Sequence, residues 1–287
     1  YNISDIRIRS IEGSKEINSI YFNDSKAYLS CGFGIVVLDL KRKEIYDTYY
    51  VGENSSKIKV YAVTINDTSI FAASVNGLLY APKNSTALAA SQTWKQLPNI
   101  ANKGKDNLEI TNLLSLGNGK LLITLPIAET TFCDVYTFDG ENWTNIFENE
   151  YIKALRLSEG KLIKIAYRSL NIYDVNNLVN GREIYHLSDE WNPVHGIHLD
   201  VNDAIVDSQD LWLAHQTKGL IRLKDYRNGT HNKSEHFPDG PKSNHIYSIT
   251  ASEDGKIYIA PGGKTIQNAP HGLAADIYIF DGWWWQS

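Results

Sequence analysis

Apolar and polar positions alternate along this chain in short runs, and the runs return at a nearly fixed spacing. Aligned triplets, Ala27-Tyr28-Leu29, Ile70-Phe71-Ala72, Leu121-Leu122-Ile123, Leu162-Ile163-Lys164, Leu211-Trp212-Leu213 and Ile257-Tyr258-Ile259, begin 43, 51, 41, 49 and 46 residues apart. A polar turn introduces each one, as in Asn23-Asp24-Ser25-Lys26, Gly117-Asn118-Gly119-Lys120 and Glu159-Gly160-Lys161. Gly, Asn and Asp are the residues that enter the positive-φ positions of a two-residue hairpin at least cost. Each triplet therefore reads as the second strand of a hairpin.

Three further runs complete the unit. An inner strand precedes each turn: Ile17 to Phe22, Val60 to Ile65, Thr111 to Leu116, Ile152 to Leu157, Asn202 to Val206 and Ile246 to Ala251. A third strand follows, from Gly34, Gly77, Val135, Leu170, Gly219 and Ile277, and a weaker outer strand ends most repeats. Four strands in about 46 residues is the period of a propeller blade. The predicted fold is all-β: a β-propeller of four-stranded antiparallel blades, six of them visible, in a single domain over residues 1–287.

The blades are expected near residues 13–50, 58–98, 109–148, 150–188, 200–238 and 244–287. Residues 1–12 read as an outer strand, belonging either to the last blade as a clasp or to a preceding blade, which would make seven or more in the complete protein. The phrase Phe138-Asp139-Gly140 returns as Phe280-Asp281-Gly282, 142 residues later, each time followed by a tryptophan at the same offset, Trp143 and Trp285. That offset equals three blades, so the phrase marks a recurring hairpin.

The motifs resemble a known family. Residues Asn2-Ile3-Ser4-Asp5-Ile6, Ala27 to Leu40 and Glu44 to Tyr49, continued by Val60 to Val63, Ile70 to Ala73 and Asn76 to Ala81, are similar to the N-terminal β-propeller of PorZ-like proteins of Bacteroidota. Further on, Asp207 to His215 with Gly219-Leu220 resembles the propeller repeat of two-component regulators. The first resemblance implies a non-enzymatic role at the periplasm or outer surface of a Gram-negative cell, in type IX secretion and surface attachment. The second implies an alternative, an oligosaccharide-sensing regulator ectodomain.

Composition narrows the partners. A net charge of −5 without a basic stripe disfavours nucleic acid, and no apolar run approaches the length of a membrane span. A protein partner or a surface glycan remains. Cys31 and Cys133 read as two separate small core residues. The eight Asn-x-Ser/Thr triplets read as turn chemistry.

No catalytic residue, metal site or cofactor is assigned. His195 and His198, three apart, fall on opposite faces of a strand, and the acids Asp200, Asp203, Asp207 and Asp210 with Asn202 read as turn residues lacking a calcium-loop pattern. A polysaccharide-acting enzyme is the least favoured alternative, with His195, His198, His215 or His245 as its base. The ligand or partner candidates are Trp283 and Trp284, extra aromatics in the last hairpin turn, with Lys264 and His271 on the Gly/Pro-bearing loop from Ala260 to Leu273.

Overall fold

The computed structural model describes residues 13–104, 106–166, 169–180, 183–188, 201–216, 219–228, 232–236, 246–262, 277–281 and 285–286. The fold is a β-propeller: the described residues form six antiparallel sheets of four strands, each strand paired with its neighbour in sequence. The sheets are β1–β4 (Ile17–Asn23, Lys26–Cys31, Gly34–Asp39, Glu44–Tyr49), β5–β8 (Val60–Ile65, Ser69–Ser74, Gly77–Pro82, Lys95–Gln96) and β9–β12 (Asn112–Gly117, Lys120–Pro126, Cys133–Phe138, Trp143–Glu150). They continue as β13–β16 (Ile152–Ser158, Lys161–Ala166, Ser169–Asp174, Glu183–Ser188), β17–β20 (Val201–Asp207, Asp210–His215, Gly219–Lys224, Asn232–His236) and β21–β24 (Ile246–Ala251, Ile257–Pro261, Tyr278–Phe280, Trp285–Gln286).

The chain separates into two compact units, residues 1–150 with the first three blades and residues 151–287 with the last three. The strand run expected before Gly13 lies outside the described residues. A 3-10 turn at Ser91–Thr93 lies between β7 and β8.

Period-two alternation explains how blades stack. In the first unit Tyr28, Ile35 and Val37 on one blade pack against Val60, Val63, Ile70 and Ala72 on the next. The opposite face of that second blade, with Ala62, Phe71 and Ala73, packs against Ile110, Leu113, Leu121 and Ile123. The second unit repeats the layers: Ile163, Ile165 and Ile172 meet Val201, Ala204 and Leu213, and Ile205, Trp212 and Ala214 meet Ile249, Ile257 and Ile259. Each Val, Leu, Ile or Phe side chain among them contributes about 1.5–3 kcal/mol when fully buried, so the layers between blades carry much of the cohesion.

First strands share a second device. Pairing with the next strand skips a residue between Ile17 and Ser19, Val60 and Ala62, Ile152 and Ala154, Val201 and Asp203, and Ile246 and Ser248. Such a bulge re-aims the extra side chain. At Asn18 and Asn202 the amide consequently donates to the first carbonyl of the next blade, Val60 O at 2.7 Å and Ile246 O at 2.6 Å. The third blade carries its irregularity at Lys120/Leu121 instead.

Cys31 and Cys133 are both free and buried. Burial pushes the Cys31 thiol up to about 11 against a partly offsetting backbone hydrogen bond from Val36.

Candidate functional site

The four residues singled out from sequence, Trp283, Trp284, Lys264 and His271, lie outside the described residues, as do His195, His198 and His245. The strand residues on either side of Trp283 and Trp284, Phe280 and Trp285, are described. Phe280 pairs with Trp285 as Phe138 pairs with Trp143, so the repeated phrase forms the same strand junction twice. In the first copy the rings of Phe138 and Trp143 lie 4.7 Å apart at 30°. Asp139 Oδ1 accepts the amides of Glu141 (2.9 Å) and Asn142 (2.7 Å) across the turn. Those amides, Asn142's first, hold its carboxyl below the usual range.

His215 ends β18 in the interior, 1% exposed, in register with Val201 and Gly219. Of the acids read as turn residues, Asp207 and Asp210 flank the β17–β18 turn, Asp200 lies outside the described residues, and Asp203 departs from that reading. Asp203 lies inside β17, directly after the residue that the bulge skips, pairs with Ala214 and is wholly buried. Arg156 Nε meets its Oδ1 at 2.7 Å and Arg156 Nη2 its Oδ2 at 3.1 Å. Ser248 Oγ (3.1 Å), Ile249 N (3.0 Å) and Ala204 N (3.0 Å) donate to it as well. One carboxylate thus joins three blades, the satisfied arrangement that a buried charge requires. Asp210 is likewise engaged, by Arg222 Nε at 2.7 Å and Nη2 at 2.5 Å. Among the described residues no three His, Cys, Asp or Glu side chains gather as a metal site.

Two polar clusters reach the surface. In the first unit Glu16 and Lys59 directly precede the first strands β1 and β5, and Glu109 lies three residues ahead of β9. Lys59 Nζ lies 3.5 Å from Glu16 and 4.8 Å above the Tyr61 ring, and Tyr61 donates a short hydrogen bond to Glu109. Burial, then the Glu109 contact, pushes the Tyr61 phenol up. These side chains already satisfy one another from blade to blade.

The second cluster is a cleft of about 420 Å³ in the second unit, lined by Glu159, Gly160, Lys161, Asp174, Asn176 and Arg227. Part of its lining is the two-residue turn between β13 and β14, in which Glu159 (φ +48°) and Gly160 (φ +68°) both take left-handed conformations, as a type I′ hairpin demands. The Ser208 amide donates to Glu159 Oε1 at 2.8 Å, and Lys161 Nζ donates to the Glu159 carbonyl at 3.2 Å. Asp174, at the end of β15, accepts the Asn176 amide at 2.9 Å. Arg227, in the 3-10 turn Tyr226–Asn228, donates its Nε to the Tyr226 hydroxyl at 3.2 Å and lies 5.5 Å from that buried ring. By sequence Glu159-Gly160-Lys161 is a hairpin turn and no more. Nothing local signals that Arg227, 66 residues beyond Lys161, joins it.

Comparison with known proteins bears on this fold. The family model of the TSS9 PorZ N-terminal β-propeller domain matches residues 1–95, so the resemblance read from the first blades holds over that third of the chain. PorZ of Porphyromonas gingivalis, an essential bacterial surface component of the type IX secretion system, is 20% identical with a TM-score of 0.55, over 94% of this chain and 32% of PorZ. The extracellular domain of the hybrid two-component system BT3049 from Bacteroides thetaiotaomicron is 12% identical with a TM-score of 0.59, over 98% of this chain and 35% of that one. A computationally designed protein, Ika8, gives 11% identity and a TM-score of 0.57 over 95% of this chain. The chain spans about a third of the length of the two bacterial neighbours. At these identities the likeness is one of fold. No curated protein matches the chain significantly.

Proposed function

We propose that the chain is a non-enzymatic, exported propeller module that binds and scaffolds at the envelope of a Gram-negative cell, in type IX secretion and surface attachment. The observation that carries this reading is the PorZ family match over residues 1–95, joined to the PorZ-like fold over 94% of the chain. Propellers host unrelated activities, so fold alone would support only a binding module. The bacterial neighbours, a surface component and an extracellular domain, support export.

The test is affinity purification of the tagged full-length protein from cross-linked envelopes of its own organism. Enrichment of secretion-system components over an unrelated envelope bait is expected. Their absence, with a membrane-spanning helix and kinase region encoded downstream, would replace this reading with a regulator ectodomain, the alternative that the fold similarity to BT3049 supports.

A further inference from the structure

We infer that the cleft between the β13–β14 turn and Arg227 binds a neutral polyhydroxylated ligand, one or two sugar residues of a glycan. This rests on the binding-module reading and assigns that module a site.

The argument is one of charge and valence. Two carboxylates, Glu159 and Asp174, and two cations, Lys161 and Arg227, line the same space, with the side-chain amide of Asn176 beside them. None of these acids lies within ion-pair distance of a described cation. Each is instead positioned by one contact that leaves capacity to spare. Glu159 Oε1 is held by Ser208 and Asp174 Oδ1 by Asn176, each leaving a second carboxylate oxygen. Arg227 is fixed through Nε on the Tyr226 hydroxyl, leaving its terminal nitrogens, and Lys161 uses one of its three donors on a carbonyl.

Ligand classes can be ranked against that lining. A phosphate or other anion would sit beside two carboxylates, and a divalent cation beside an ammonium and a guanidinium. Each would meet two like charges at close range, which is unfavourable even in partly exposed surroundings. A hydroxyl both donates and accepts, so a polyol satisfies acids and bases alike with no net charge to compensate. A volume of about 420 Å³ lies at the small end of ligand sites, which suits one or two sugar rings and no more.

The experiment is saturation-transfer NMR and calorimetry on the whole chain with neutral di- and trisaccharides of glucose, galactose, mannose and N-acetylglucosamine, and with inorganic phosphate and Ca²⁺ as parallel arms. Binding of at least one saccharide is expected, with about a tenfold or greater loss in Asp174→Asn and in Arg227→Gln, each of which removes charge-assisted hydrogen bonds. Both positions are exposed, so unchanged melting temperatures will show that the fold is intact. Saccharide binding unaltered in both variants would overturn the site while leaving the module reading standing. Binding of phosphate or Ca²⁺ alone, or of nothing, would overturn the ligand class, and the envelope purification above judges the module separately.

Discussion

The two units use the same bulged first strand for different ends. In both, an asparagine at the bulge reaches the next blade: Asn18 to Val60 O and Asn202 to Ile246 O. One residue later they diverge. Ser19 in the first unit makes a 3.1 Å hydrogen bond to Ser30 within its own blade. Asp203 in the second unit holds Arg156 on one side and Ser248 with Ile249 on the other. The first unit is held by apolar layers with modest polar bonds, and the second adds a buried charge whose partners must all be in place. A repeat therefore fixes the geometry of a position while leaving its chemistry open.

That comparison can be broken in a graded series. Asp203→Ala strands Arg156 in the layer, and breaking a buried pair costs about 3–5 kcal/mol. Because Arg156 is 37% exposed and can recover water, the lower end, about 3 kcal/mol, is expected, confined to residues 151–287 in hydrogen exchange. Equal loss of protection in both units would contradict the account.

Asn18→Ala and Asn202→Ala form the matched pair. Each leaves a part-buried carbonyl without its donor, for about 1–2 kcal/mol in denaturant melts, of similar size in the two units. A disparity of more than about twofold would show that the bulges are not equivalent. Ser19→Ala, at the position of Asp203, should move stability by less than about 1 kcal/mol. A loss as large as that of Asp203→Ala would erase the contrast.

The smallest expected effect is one of pH. The folded Cys31 thiol titrates near 11, above its ordinary value of 9.0, so folding favours the protonated form. Its contribution to stability is complete below about pH 9 and is lost as pH rises through 11. At pH 8 the folded thiol should react with a thiol reagent roughly a hundredfold more slowly than in urea, since the thiolate is the nucleophile. Comparable rates would place Cys31 outside the core.

Much of the fold was legible because it is periodic. The aligned triplets fell on the second strands, and the turns Asn118-Gly119 and Glu159-Gly160 adopt the positive φ pairs their composition suggested. The bulges were not legible, because a skipped residue preserves alternation on both sides and changes only which side chain is re-aimed. Asp203 falls within the expected inner strand Asn202 to Val206, but nothing in its neighbourhood signals that Arg156 and Ser248 come from two other blades to meet it. The cleft was hidden for another reason: its lining comes from two blades, and each of its residues is ordinary in its local setting. The extra tryptophans Trp283 and Trp284, conspicuous in sequence, stand outside the described residues.

The central claim, that this propeller module serves the secretion machinery of the envelope, is tested most directly by deleting residues 13–287 in frame from the full-length protein in its own organism. Quantitative surface labelling of type IX cargo proteins is then compared with the parent strain. The account predicts a marked loss of surface cargo with cargo accumulating inside the envelope, and cargo displayed at the parental level would contradict it.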